Sequence, residues 1–263
     1  MKILDGRELA GFIKERQAHV VSGLRAKGKT PKLVIIRDSE NPVIMKYVGL
    51  KKRYGEDIGV LVSDVFAEGL ENLKKAVLSA NEDKEVSGII VQLPLRDDSW
   101  TDEVVSLINP EKDVDGLSGN GRFDSATATA INWLLSGHNI ELSDKKIAIV
   151  GRGRLVGAPL IKMWTNSGLD VSVFHRGSDF SELKNFDVIV TATGNPHLIT
   201  SEMIKPGAVV VDAGAASEDG VIVGDISDKI RERVDLLAIT PKIGGVGPLT
   251  VSVLFDDVIQ ATK

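Results

Sequence analysis

The chain reads as an α/β protein of two domains, and three observations lead there. Short β-branched apolar runs alternate with amphipathic segments along most of the 263 residues, the pattern of strands and helices in a parallel sheet. The alternation occurs on both sides of a Gly/Asn/Ser-rich stretch, Gly116-Leu-Ser-Gly-Asn-Gly121, which marks a boundary. In the second half, an apolar run at 146–150 enters a glycine-rich turn and then a helix, as a Rossmann-type unit begins.

The elements follow in order. Leu9, Phe12, Ile13, Val20, Val21 and Leu24 recur near helical spacing and predict a helix over 7–27, punctuated by Gly28 and Pro31. Lys32-Leu-Val-Ile-Ile-Arg37 predicts a buried strand. Asn41 caps the next helix, with Pro42 at its first position. A strand at 59–66, a helix at 70–81 and a strand at 88–93 complete the first half. The second half has strands at 146–150, 171–174, 187–192, 208–212 and 235–239, with a helix at 156–167. Val251, Leu254, Phe255, Val258 and Ile259 predict a final helix over 250–262 that packs back onto the first domain.

Composition narrows the function. Apolar residues make up 43% of the chain, enough for packed cores. The absence of cysteine excludes disulfides, thiolate nucleophiles and cysteine-ligated metals, and suits a reducing cytoplasm. A net charge of −5 argues against nucleic acid as the main partner. The N-terminus has no signal-peptide pattern, and no apolar run approaches a membrane span. The four histidines, His19, His138, His175 and His197, show no metal-ligand spacing. There is no nucleophile elbow of the G-x-S-x-G kind.

Gly151-Arg-Gly-Arg-Leu-Val-Gly157 suits a dinucleotide. Glycines permit a tight turn and let a pyrophosphate approach the N–H groups at a helix start. The spacing is one residue longer than the usual fingerprint, and an ordinary Gly-rich turn fits the same residues. The next strand ends in Phe174-His-Arg-Gly-Ser178, without the acid that binds ribose hydroxyls in NAD enzymes. Arg176 and Arg152 would suit a 2′-phosphate, hence NADP, although a solvated loop arginine has the same appearance. Small residues at Thr191-Ala-Thr-Gly-Asn195 and Asp212-Ala-Gly-Ala215 leave room for a cofactor or simply make turns.

Three further segments hold polar chemistry. Tyr47 and Lys51 are four residues apart and share a helix face, as residues of an ordinary basic surface helix would. Gln92 interrupts an apolar strand before Leu93-Pro94, so its amide either lines a pocket or is satisfied by a loop. Asp113 and Asp115 precede Gly116, where carboxylates bind a ligand or close an Asx turn.

Taken together and in this order, these segments resemble the bifunctional methylenetetrahydrofolate dehydrogenase/cyclohydrolase (FolD) family. The resemblance runs from Leu4-Asp-Gly6 through the Tyr-x-x-x-Lys pair, Val91-Gln-Leu-Pro-Leu95, Lys112-Asp-Val-Asp-Gly116, the glycine turn and Ile204-Lys-Pro-Gly-Ala-Val-Val210 to Gly244-Gly-Val-Gly-Pro-Leu-Thr250. Gly224-Asp225 and Thr240-Pro241 also match. The resemblance implies NADP-dependent oxidation of 5,10-methylenetetrahydrofolate and hydrolysis of the methenyl product to 10-formyltetrahydrofolate. It implies Lys51 as the catalytic amine, Gln92 as its hydrogen-bond partner, Tyr47 as a stacking wall and Asp115 on the pterin. Gly245, Gly247, Pro248 and Thr250 match a loop that closes the folate pocket. Gly151, Arg152, Gly153, Gly157, His175, Arg176, Thr193 and Gly194 fall to the cofactor. The expected division is 1–120 plus 246–263 for folate and 121–245 for NADP, with the chemistry in a cleft between them and a homodimer formed through the Rossmann domain. A monofunctional relative, or a non-catalytic binding protein of the same fold, is the alternative.

The chain departs from the family pattern at several places. Gly153 stands where Ser is usual, Ser125-Ala-Thr-Ala128 replaces Pro-Cys-Thr-Pro, and Pro241-Lys-Ile-Gly-Gly245 replaces Pro-x-Pro-Gly-Gly. Ile44-Met45 replaces Ser-Gln, and Arg176 replaces a Ser on the second Rossmann strand. Tyr47, Lys51, Gln92 and Asp115 are intact.

Overall fold

The computed structural model describes residues 1–218 and 221–263. The chain divides into two compact units, one of Gly11–Ala126 with Val251–Lys263 and one of Met1–Ala10 with Thr127–Thr250. They are called the first and second unit below.

Strands β1 (Lys2–Ile3), β2 (Lys32–Arg37), β3 (Leu61–Phe66) and β4 (Gly88–Val91) are separated by helices α1 (Gly6–Ala26), α2 (Pro42–Ile58) and α3 (Leu70–Glu82). The first unit has a parallel sheet in the order β3-β2-β4. The chain steps from β2 to one neighbour through α2, then to the other through α3. The carboxyl ends of β2 and β4 are thus a topological switch point, where α/β folds bind ligands. Asn41 caps α2 as expected, its Oδ1 accepting the Val43 N–H at 2.9 Å, and Gly59 ends the helix at φ 82°. Val34, Ile36, Leu73, Val77, Ile89, Val91 and Val104 form the core of this unit.

Short helix α4 (Thr101–Ser106) is followed by α5 (Ala126–Gly137), β5 (Ile147–Val150), α6 (Gly157–Asn166), β6 (Val171–Phe174), β7 (Val188–Thr191) and β8 (Val209–Asp212). An antiparallel hairpin, β9 (Ala216–Glu218) with β10 (Val221–Val223), precedes α7 (Asp228–Arg231), β11 (Ala238–Ile239) and α8 (Val246–Thr262). Among the described residues the main sheet of the second unit has the order β1-β11-β8-β7-β5-β6, parallel throughout. Its switch point lies at the ends of β5 and β7. Strand β5 is wholly buried.

Three differences from the sequence expectations bear on the site. The first ten residues group with the second unit, because β1 pairs with β11 and Gly6 packs on Gly245. A Cβ at Gly6 would lie 2.1 Å from the Gly245 carbonyl oxygen, so only glycine fits. Strand β4 stops at Val91, which leaves Gln92 just beyond it, although the Gln92 N–H still bonds the Ile36 carbonyl at 2.8 Å. Helix α8 starts at Val246, so Gly247, Pro248 and Thr250 lie in its first turns rather than in a loop. Proline is tolerated there because the first N–H groups of a helix have no intrahelical partner.

Candidate active site

In the first unit, the sequence-predicted residues converge from three elements. Lys51 comes from the middle of α2, Gln92 from the end of β4, and Asp115 from the segment after Asp113, whose backbone bridges Ile89. The buried face of α2 is Ile44, Val48, Gly55 and Ile58. Tyr47 and Lys51 occupy the adjoining stripe and are half-buried. Lys51 Nζ donates to Gln92 Oε1 at 2.8 Å. Gln92 Nε2 donates to the Leu93 carbonyl at 3.0 Å, which turns the amide oxygen toward the lysine. Gln92 is 8% exposed.

The electrostatics follow from burial. Burial pushes the Lys51 ammonium below the ordinary lysine range, and the attraction of Asp115 opposes that fall. Burial pushes the Asp115 carboxyl up, Lys51 holds it down, and Asp113 adds to the rise. Burial also raises the Tyr47 phenol, so it stays protonated near neutrality. The set therefore offers an amine that releases its proton more readily than free lysine, an oriented amide, a carboxyl group and a ring.

Asp113 has a different place. It is fully buried, and its carboxylate accepts the Leu117 N–H, the Ser118 N–H and the Ser118 hydroxyl, the last at 2.6 Å. Asp113 thus shapes the turn that presents Asp115.

One further acid joins the site. Asp257, on α8, has its carboxyl pushed up to about 8, by burial first and then by Asp256, Asp115 and Asp124, with Arg122 opposing. Two consecutive acids in a helix whose Leu254, Phe255, Val258 and Ile259 are buried cannot both reach solvent freely, and that was the available signal.

In the second unit, Gly151 ends β5 with φ 102°. A Cβ on it would lie 2.4 Å from the Ala192 carbonyl oxygen, at the end of β7. A Cβ on Gly157 would lie 2.2 Å from the Gly151 carbonyl oxygen. The glycines thus hold the turn tightly against the switch point. No side chain caps α6, and of its first N–H groups that of Ala158 bonds the Gly153 carbonyl at 3.0 Å; a helix start without a side-chain cap suits an anion. This cradle fits a dinucleotide pyrophosphate. Arg152 and Gly153 are exposed in the turn, and a Cβ on Gly153 would meet nothing within 4 Å. His175 and Arg176 are exposed beyond β6. Their turn is tied by the His175 N–H to Ser178 Oγ at 3.0 Å and His175 Nδ1–H to the Arg176 carbonyl at 2.9 Å. Thr193 and Gly194 follow β7, with Gly194 at φ 68°. Gly245 is buried and Gly247 exposed. Thr250 Oγ1 bonds back to the Val246 carbonyl at 3.3 Å.

Comparison with known proteins gives two family matches along the chain. Residues 4–115 match the catalytic domain of tetrahydrofolate dehydrogenase/cyclohydrolase, and residues 125–263 match its NAD(P)-binding domain. The chain is 38% identical over 277 residues to the bifunctional protein FolD of Lactobacillus delbrueckii subsp. bulgaricus, covering 100% of this chain and 97% of the relative. It resembles the crystal structure of the FolD dehydrogenase/cyclohydrolase of Campylobacter jejuni, with TM-score 0.91, 33% identity and coverage of 100% and 98%. It also resembles the Trypanosoma brucei enzyme complexed with NADP cofactor and inhibitor, with TM-score 0.90, 30% identity and coverage of 99% and 96%.

Proposed function

Because the chain belongs to the tetrahydrofolate dehydrogenase/cyclohydrolase family, we propose that Lys51, Gln92, Asp115 and Tyr47 form its folate site and carry both of its reactions. The enzyme oxidises 5,10-methylenetetrahydrofolate to the methenyl form with NADP and hydrolyses that product to 10-formyltetrahydrofolate, in one-carbon metabolism. The single observation that supports the site reading is the Lys51–Gln92 hydrogen bond at 2.8 Å, beside an acid that interacts electrostatically with the same lysine.

Oxidation needs alignment more than acid or base. Loss of hydride from the bridging carbon leaves a cation that the folate nitrogen lone pairs stabilise. Tyr47 supplies a flat wall, and Asp115 a partner for the polar edge of the pterin. When bound, NADP supplies the hydride acceptor. Gly151, Gly157 and the start of α6 would hold its pyrophosphate, with Arg152, Gly153, His175, Arg176, Thr193 and Gly194 around it, the two arginines meeting a 2′-phosphate.

Hydrolysis needs an activated water. In its neutral form Lys51 accepts a proton as water adds to the methenyl carbon. It then returns that proton to N5 as the carbon–N5 bond breaks, and the hydroxyl on the carbon releases its own proton to solvent, leaving the formyl group on N10. Burial lowers the Lys51 pKa and so makes the neutral amine easier to form than in free lysine, and Gln92 aims it. Gly245, Gly247, Pro248 and Thr250 are the further folate contacts in this reading.

The proposal extends to a cytoplasmic homodimer whose 10-formyl product serves purine synthesis. A cysteine-free sequence is compatible with a reducing compartment, and sedimentation of the purified protein tests the dimer. Among the described residues no helix is long and apolar enough to cross a membrane, and no group of acids and histidines could hold a metal ion.

The site reading is tested by Lys51→Met. Hydrolysis of added methenyltetrahydrofolate should fall by about 10²-fold or more in a folded variant. A variant that retains both activities would refute it.

A further inference from the structure

Gly224-Asp225 and Thr240-Pro241 match the family pattern, yet the sites above give them no task. The fold joins them. Thr240 Oγ1 accepts the Asp212 N–H at 2.9 Å. Asp212 Oδ1 accepts the Asp225 N–H at 3.0 Å and the Gly214 N–H at 3.1 Å. Asp212 Oδ2 takes the Arg231 guanidinium at 2.8 Å. Asp212 therefore has a cation and several donors.

Asp225 is arranged differently. It is fully buried. Its Oδ2 accepts the Thr193 N–H at 2.6 Å, while its Oδ1 is buried without a hydrogen-bond partner. A buried polar atom left unpaired costs stability and calls for a reason. The surroundings are shaped around this acid pair. A Cβ on Gly214 would lie 2.2 Å from Asp225 Oδ1, and one on Gly224 would lie 2.0 Å from Asp212 Oδ2. Burial pushes the Asp225 carboxyl up, the Thr193 N–H opposes this, and the Asp212 carboxylate adds to it.

What Asp225 holds is the turn after β7. Thr193 Oγ1 accepts the Asn195 N–H at 3.1 Å, and Gly194 sits at φ 68°. Ala192, one residue earlier, is the residue against which Gly151 closes. The turn thus stands beside the glycine cradle, at the crevice where a dinucleotide lies.

We propose that Asp225 is a positioning residue for NADP: its buried carboxyl fixes the Thr193 N–H and so the shape of the turn at the end of β7 that lines the cofactor site. This rests on the NADP reading of that turn. A buried carboxyl with Gly214 packed against its Oδ1 resists displacement, so the turn is preset before the cofactor arrives.

NADPH fluorescence titration gives the dissociation constant of wild type, Asp225→Ala, Asp225→Asn and Gly214→Ala. Hydrolysis of added methenyl substrate is measured on the same preparations. Loss of the acceptor in Asp225→Ala should raise Kd about tenfold, with hydrolysis within about twofold of wild type. Gly214→Ala pushes a methyl onto Oδ1 and should raise Kd similarly. Asp225→Asn keeps an oxygen for the Thr193 N–H and should stay within about threefold of wild type. Unchanged Kd in Asp225→Ala and Gly214→Ala, or hydrolysis falling in step with binding, would overturn the proposal. If Asp225→Ala does not fold, a folded Asp225→Asn with Kd raised well beyond tenfold would overturn it. Wild-type protein that fails to bind NADPH would instead overturn the cofactor reading of the turn.

Discussion

Lys51 Nζ donates to Gln92 Oε1 at 2.8 Å, and the Gln92 amide is itself locked by its Nε2 bond to the Leu93 carbonyl at 3.0 Å. A helix and a strand end, far apart in sequence, thus fix one amine in a half-buried place. Replacing the acceptor by Gln92→Ala should lower the hydrolysis rate about tenfold to a hundredfold. Gln92→Glu should act otherwise. A carboxylate beside Lys51 favours the ammonium and raises its pKa, so the free base forms only at higher pH. The rising limb of the hydrolysis pH–rate profile should move upward, and a profile that stays in place would argue against Lys51 as the base.

Asp257 gives a stability signature. Its carboxyl titrates at about 8 in the folded chain against an ordinary 3.8. The folded state therefore keeps a proton that the unfolded chain releases. The resulting contribution to stability is fully present below pH 3.8 and is lost as pH rises through about 8. Thermal unfolding should show a midpoint that falls between these limits. Asp257→Asn should flatten the fall and be the more stable protein at the alkaline end; parallel curves for the two proteins would contradict this.

Gly151→Ala should separate the two reactions. The new Cβ would lie 2.4 Å from the Ala192 oxygen at a φ of 102°, so the turn must open. Dinucleotide binding and oxidation should drop by roughly 10²-fold, while hydrolysis of added methenyl substrate persists. Gly153→Ser, where a Cβ meets nothing within 4 Å, should leave the melting temperature unchanged. Titration with NADPH checks Gly151→Ala, and thermal unfolding checks Gly153→Ser.

Arg176 decides cofactor preference in this account. It is exposed at the end of β6, on a turn tied by His175 and Ser178. Arg176→Ala should cut the ratio of kcat/KM for NADP over NAD about tenfold, chiefly through KM for NADP. An unchanged ratio would transfer the 2′-phosphate to Arg152 or elsewhere.

Local chemistry made much of this legible. The run Lys32–Arg37 is a strand, and Asn41 with Pro42 starts α2, because caps and β-branched runs act over a few residues. The pair Tyr47 and Lys51 could be placed on one face but not given a task until Gln92 met the lysine. Strand β1 escaped notice because two residues have no period, and only pairing with Ala238–Ile239 creates it. Glycine and proline at 247–248 read as loop because the first turn of a helix tolerates both. Helical spacing follows the apolar positions alone and so carries no signal for Asp257. Asp225 has a motif but no legible task in the sequence, since its partners Asp212 and Thr193 come from the end of β8 and the turn after β7.

One chain performs NADP-linked oxidation and then hydrolysis. The initial rate of NADPH formation from 5,10-methylenetetrahydrofolate tests it most directly, with the methenyl intermediate followed in the same samples and NAD run alongside. NADP should yield NADPH and a methenyl intermediate that decays to the 10-formyl product, with a weaker reaction with NAD. No reduced cofactor with NADP, together with intact hydrolysis of added methenyl substrate, would contradict it and leave a cyclohydrolase alone.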